Sequence, residues 1–271
     1  QFEVLPYVKK YVKKQFYKDK SLYKKNFFRN RFYADYYQKN YNLENISKQK
    51  FTKLSDEFSE KLVLGWNIGV GNYFETLKYN KFLKLKCILK AINCSRHKDL
   101  FKYTLRYYEE KIRTNDVFFK FNLRDNVKKI SIHYQRKKVN EILTKHYGII
   151  NSKRLSHRDF LLSLKNSKIS VGAFGWGEVC YREFEAITCG TAIMFPDMSS
   201  IETWPNIYFD NETYLSYDLD FKNFEQKLSH LISDLDLWKK LVNNSQDIMN
   251  DVHNYKGKEY FIKKIFEIIS W

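Results

Sequence analysis

The feature that most constrains this chain is the run at residues 168–198, KISVGAFGWGEVCYREFEAITCGTAIMFPDM. Residues 169–171 are a short apolar stretch that reads as a buried strand. Gly172, Gly175 and Gly177 then break any regular pattern. Residues 179–189 follow as a helix, with Val179, Phe184, Ala186 and Ile187 as its apolar face. Gly190 stands where a helix C-terminus takes a residue at positive φ. Residues 191–195 form a second apolar strand, which Pro196 stops. Strand, glycine-rich loop, helix, strand is the unit from which doubly wound sheets are built. A chain centred on it is expected to be α/β, a Rossmann-like parallel sheet with flanking helices.

The loop and the first helical turns carry the chemistry. Glycines let a ligand approach the backbone. A helix N-terminus offers unpaired N–H groups and a partial positive charge, which suits phosphate. Arg182 lies in the first turns and can pair with a phosphate in bidentate fashion. Glu185 follows three residues later, so both can face one cleft. A carboxylate there can accept hydrogen bonds from vicinal ribose hydroxyls. The competing reading is a solvated i, i+3 pair of no functional weight. The glycine loop on one side and FEAITCG on the other favour a site with Gly175, Trp176, Gly177, Arg182 and Glu185 around a ligand.

FEAITCG resembles the glutamate-bearing helix of GT-B glycosyltransferases, in which a Glu-Ala, a small residue and a Gly hold the nucleotide ribose. The longer run FGWGEVCYREFEAITCGTAIMFPDMSSIETWPNIY is similar to bacterial and viral glycosyltransferases of the family 1 and CgeB-like groups. The resemblance is close over residues 156–214 and loose elsewhere. It implies a C-terminal donor-binding domain of the GT-B fold at residues 58–271, preceded at residues 1–57 by a helical remnant of an acceptor-side domain. It implies a nucleotide-sugar donor whose ribose is held by Glu185. It gives the loop carrying Gly69 and Gly71, after a strand at residues 62–66, a place facing the donor. It puts the loop at residues 211–214, with Thr213, where donor contacts are common, and brings the last helix back across the first ones. One departure matters. Retaining members carry two glutamates separated by seven residues, whereas Glu178 and Glu185 are separated by six. Glu178 therefore stays a candidate for touching the sugar or the acceptor, beside its plain reading as an acid favoured by the helix dipole.

Transfer from a nucleotide sugar builds negative charge on the leaving diphosphate, which cations, dipoles or a metal must stabilise. The DxD-like triplet Asp218-Leu219-Asp220 lies near the tail, so the expectation is metal-independent stabilisation. Arg182, the helix start and the backbone of residues 175–177 would supply it, with Glu178 and Arg182 as the catalytic candidates. No tightly bound cofactor is expected. The acceptor would be a glycan, a lipid-linked molecule or a protein.

The net charge of +17, from 48 Lys and Arg against 31 Asp and Glu, points to an anionic partner. An anionic membrane touched peripherally fits it, and so does an AT-rich coding bias towards Lys, Asn, Ile, Tyr and Phe. A basic nucleic-acid-binding protein is the main competing function, warranted by lysines interleaved with aromatics; no zinc-finger or RNP-like pattern supports it. A glycosyltransferase-like scaffold without activity is a third. No run reaches the ~18 apolar residues of a membrane span, and the N-terminus lacks a signal-peptide pattern. The four cysteines show no CxxC spacing and read as reduced thiols. A cytoplasmic location follows as the expectation.

Elsewhere, apolar spacing predicts helices at residues 4–12, 27–41, 74–92, 98–112 and 131–146, with a polar connection at 45–60. Strands are expected at 116–121, 148–150 and 207–209. Ser156 opens a helix with Asp159 at its third position. Residues 199–205 read as a turn with a short helix, and residues 221–233, 235–248 and 255–269 as a helical tail.

Overall fold

The structure, a computed structural model, describes residues 2–27, 31–41, 43, 53–71, 113–121, 123, 130–149, 155–175 and 177–270. The helices expected at residues 74–92 and 98–112 lie outside them.

The chain opens with a correction. The helical spacing at residues 4–12 gives a single 3-10 turn, Leu5–Tyr7, with Pro6 in its first positions. Two short strands follow, β1 (Tyr11–Lys13) and β2 (Gln15–Tyr17). Both are recruited by distant partners. β1 runs parallel to β3 (Leu62–Leu64), pairing Tyr11 with Leu62. β-branched and aromatic residues accept a ladder as readily as a helix, so tertiary pairing decides. The next helix, α1 (Phe32–Tyr41), begins later than the sequence suggests and buries Tyr33, Ala34 and Tyr37.

A four-stranded parallel sheet forms the centre. Its order is β4 (Asn115–Phe118), β5 (Ser167–Val171), β6 (Ala192–Pro196), β8 (Leu215–Tyr217). β6 is buried at all five positions, as the apolar run AIMFP requires of a strand covered on both faces. Before β5 come α2 (Ile130–Tyr147) and α3 (His157–Lys165). Ser156 caps α3 as expected, its hydroxyl accepting the Asp159 N–H. Residues 148–149 end α2 rather than start a strand: Gly148 sits at φ 62, and the Ile149 N–H returns to the Leu143 carbonyl.

Between β5 and β6 lies α4 (Tyr181–Thr188). Its start is fixed by the Glu183 carboxylate accepting the Cys180 N–H at 2.9 Å. Its end is fixed by Gly190 at φ 66. Residues 199–205 hold no helix but β7 (Ile201–Thr203), which pairs antiparallel with β2. The strand expected at 207–209 is displaced to β8. There residues 207–213 form a turn closed by the Thr213 hydroxyl and Asn211 at φ 59.

Three helices close the chain: α5 (Phe224–Ser233), α6 (Leu235–His253) and α7 (Tyr255–Ile269). Asp234 and Asn254 cap the last two. α6 is tied to the central unit by the Trp238 indole donating to the Lys168 carbonyl, 2.7 Å, and the Gln246 amide to the Ile187 carbonyl, 3.0 Å. α7 reaches the N-terminal part through Phe261 on Trp66 (4.9 Å between rings) and the Lys10 ammonium on the Glu267 carbonyl. Phe2, Leu5, Phe16, Tyr33 and Tyr37 share one core with Phe174, Phe184 and Phe195 of the sheet region. Among the described residues no helix is long and apolar enough to cross a membrane.

Candidate functional site

In open parallel sheets ligands gather beyond the carboxyl ends of the strands. Here that edge holds the segment 172–180, between β5 and α4. The two ends of the segment differ. Gly172 is a packing glycine: a Cβ there would stand 2.3 Å from the Phe195 ring. At Gly175 a Cβ would meet only side-chain atoms closer than 3.8 Å, Cys180 Sγ at 3.3 Å and Arg136 Nη2 at 3.4 Å. At Gly177 it would meet only the Lys14 ammonium, at 3.3 Å, and its Cε. Neither glycine is among those at positive φ. So backbone strain does not demand a glycine at these two positions, and among the described residues a Cβ would press on the ends of side chains, which would have to give by a few tenths of an ångström. Trp176 lies outside the described residues.

Side chains from distant segments grip this loop by its carbonyls. The Tyr33 hydroxyl donates to Gly175 at 2.8 Å, and the Lys14 ammonium to Val179 at 3.3 Å. Gln135 turns its amide oxygen to the Phe174 N–H at 2.8 Å. Arg182 donates to the Ala173 carbonyl at 3.0 Å and to the Lys120 carbonyl at 3.1 Å, so it staples the loop to the end of β4. Its guanidinium lies 5.2 Å from the centre of the Phe121 ring.

Glu185, one turn further along α4, meets His157 Nε2 at 2.8 Å, at the first turn of α3. Arg182 reaches the loop and the segment after β4, and Glu185 reaches the first turn of α3. They are not a pair: each has partners of its own. The His157–Glu185 contact is partly exposed, 43% and 13% by side chain, so it contributes at most about 1 kcal/mol and exchanges readily. Beside Arg182 the described residues leave about 10 Å³ of free space, room for a single water, bounded by Phe118, Phe160, Val171, Ile193 and Glu183.

Glu178 is held elsewhere. Its carboxylate accepts the Gln15 amide at 2.5 Å and faces Lys13, whose ammonium is lowered to about 8 by burial against the pull of Glu178. The two catalytic candidates, Glu178 and Arg182, are therefore bound by different parts of the chain. Gly69 lies in a short turn packed against the core. Among the described residues β3 pairs with β1 and not with the four-stranded sheet, and a Cβ on Gly69 would stand 2.4 Å from the Phe184 ring. Asn67 shapes that loop, accepting the Gly69 N–H and donating to Thr203 and Pro205. Thr213 is buried, and its hydroxyl is spent on the backbone of Ile207 and Phe209.

Two residues absent from the sequence reading join the site. Glu183 is fully buried, and burial pushes its carboxyl up to about 7 against the nearby Arg182. Its place three residues after Cys180 was legible as a capping acid, not as a titrating one. Arg136 stood among many basic residues on α2 and carried no signal of its own.

No family model matches the chain, and neither a curated protein nor a solved structure of significant similarity is found for it.

Proposed function

We propose that this protein is a nucleotide-sugar-binding glycosyltransferase domain, with the donor's diphosphate over residues 175–177 and its ribose on Glu185. The observation that carries the reading is the pair Gly175 and Gly177. A side chain at either would press only on the movable ends of described side chains and on no ring or backbone closer than 3.8 Å, which supports the reading that their bareness serves something outside the chain. The α/β sheet, with this loop and the α4 start at its carboxyl edge, supports the same placement. The resemblance of FEAITCG to the GT-B helix supplies the sugar. The GT-B architecture itself is part of the proposal.

The geometry is compatible with the following roles. Arg182 is held by two carbonyls that orient its guanidinium without neutralising it, so its charge remains for a developing diphosphate. The first N–H groups of α4 add their partial charge. Glu185 releases His157 and accepts the ribose hydroxyls. With about 10 Å³ free beside Arg182, entry of the donor requires the loop to part from the end of β4.

The test is a thermal-shift and calorimetric screen against UDP, GDP, ADP, TDP and CMP. A matching nucleotide raises Tm by mass action, and Glu185→Ala weakens it by roughly 10- to 100-fold, the worth of hydrogen bonds to a charged group. If nucleic acid bound instead, with steep salt dependence and indifference to Glu185→Ala, the basic-protein reading would replace this one. Nucleotide binding without sugar transfer would mark a binding scaffold.

A further inference from the structure

The charge pattern around Gly175 has a gap. Arg136 projects from α2 until Nη2 lies 3.4 Å from where a Gly175 Cβ would stand. Its guanidinium and that of Arg182 lie 6.0 Å and 5.2 Å from the same Phe121 ring centre, so two cations flank one aromatic. Arg136 Nε is buried and has no hydrogen-bond partner. Among the described residues no carboxylate forms an ion pair with either arginine. Lys14 adds a third cation, 3.3 Å from the position of a Gly177 Cβ.

The nearby acids do not close the gap. Burial pushes the Cys180 thiol up to about 11, so it is neutral. Glu183 is pushed up to about 7 by burial, which favours its neutral form. Glu178 is engaged with Gln15. Arg136 itself is lowered to about 10, by burial and then by Arg182. A partly buried guanidinium held next to another cation, with no carboxylate paired to it among the described residues, is costly unless something anionic visits it.

We propose that Arg136, Arg182 and Lys14 form a phosphate clamp over Gly175 and Gly177, and that Arg136 is a direct ligand of the bound phosphate. This deepens the nucleotide-sugar reading by adding a ligand from α2, and rests on that reading only for the rest of the donor. The clamp itself stands on the three cations and the two bare glycines. A diphosphate fits better than a monophosphate, because the cations enter from three separate segments and a single phosphate offers one compact set of oxygens.

The experiment is calorimetric titration of the full chain at low salt with inorganic pyrophosphate, inorganic phosphate and the nucleoside diphosphates. Three variants accompany the parent: Arg136→Met, Arg136→Lys and Lys145→Met. The last removes an exposed charge from the same helix and controls for the overall charge of +17. Pyrophosphate is expected to bind more tightly than phosphate. Arg136→Met should weaken it at least tenfold, Arg136→Lys less, and Lys145→Met hardly at all. Without ligand, Arg136→Met should melt at an equal or higher temperature, since it removes a partly buried charge that no carboxylate of the described residues pairs with; a merely structural arginine would give a lower Tm. Equal pyrophosphate affinity in Arg136→Met and Lys145→Met overturns the clamp, as does absence of binding to the parent. Arg136-dependent pyrophosphate binding with no nucleoside diphosphate bound sustains the clamp and removes the nucleotide-sugar reading. Nucleoside diphosphate binding at full strength in Arg136→Met does the reverse.

Discussion

Two glycine loops look alike in this sequence and are physically opposite. Residues 67–71 and 172–177 each follow an apolar strand and each carry two or more glycines. In the first, Gly69 is bare because the Phe184 ring occupies the space of a side chain. Its polar groups are consumed locally, by Asn67 and the Ile68–Gly71 turn. In the second, Gly172 belongs to the same packing class, with Phe195 against it, but Gly175 and Gly177 face cations. A glycine that excludes a ring builds the core. A glycine beside cations that no described carboxylate pairs with is the kind the proposed phosphate site would use. The difference lies in what stands 3 Å away, and no local pattern encodes that.

The largest expected effect that sharpens this contrast is electrostatic. Glu183 anchors the second loop and has no counterpart in the first. Its folded carboxyl is raised from 4.5 to about 7. The folded state therefore holds a proton that the unfolded chain gives up near 4.5. Stability associated with this group is complete below that value and is lost as pH rises through about 7. The loss is roughly 3 kcal/mol. Glu183→Gln keeps an acceptor for the Cys180 N–H and should flatten that segment of the stability–pH curve, measured by urea denaturation between pH 4.5 and 8. A curve as steep as the parent's would assign the titration to another group and remove Glu183 from the contrast.

Next in size is Gly69→Ala. The added methyl meets a ring that is fully buried, so the core overpacks and stability falls by about 2 kcal/mol. Gly177→Ala, which displaces only a lysine tip, should cost well under half as much while weakening any phosphate ligand. Urea midpoints of the two variants decide the matter. If they fall equally, the second loop is as packed as the first, and the bareness of Gly177 needs no ligand to explain it.

How far the sequence could foresee this depends on the range of the cause. The β5–α4–β6 unit is built from contacts within about 30 residues, and its strand, cap and Gly190 turn were all legible. The first strands were not legible, because β1 and β2 exist through β3 and β7, which lie far along the chain. The same limit hid the partners of each candidate. Nothing local to Glu178 announces Gln15, and nothing local to Gly175 announces Arg136 or Tyr33. The elements were readable where their causes were near in sequence; the electrostatics of the site were not, because every segment that sets it arrives from elsewhere.

Tyr33 gives the smallest and most discriminating effect. It is fully buried against Phe174, with ring centres 4.5 Å apart, and its hydroxyl donates to the Gly175 carbonyl at 2.8 Å. Tyr33→Phe keeps the ring and removes only that donor, which should cost about 1 kcal/mol, the ordinary worth of a buried hydrogen bond whose acceptor is left alone. The Gly175 carbonyl, no longer held, can turn towards the space the phosphate needs, so affinity for pyrophosphate should fall a few-fold at unchanged charge. Loss of stability with unchanged affinity would mean that Tyr33 braces the core alone. A fall in affinity would show that the carbonyl grip keeps the second loop open to its ligand, a function the first loop, closed by a ring, has no need of.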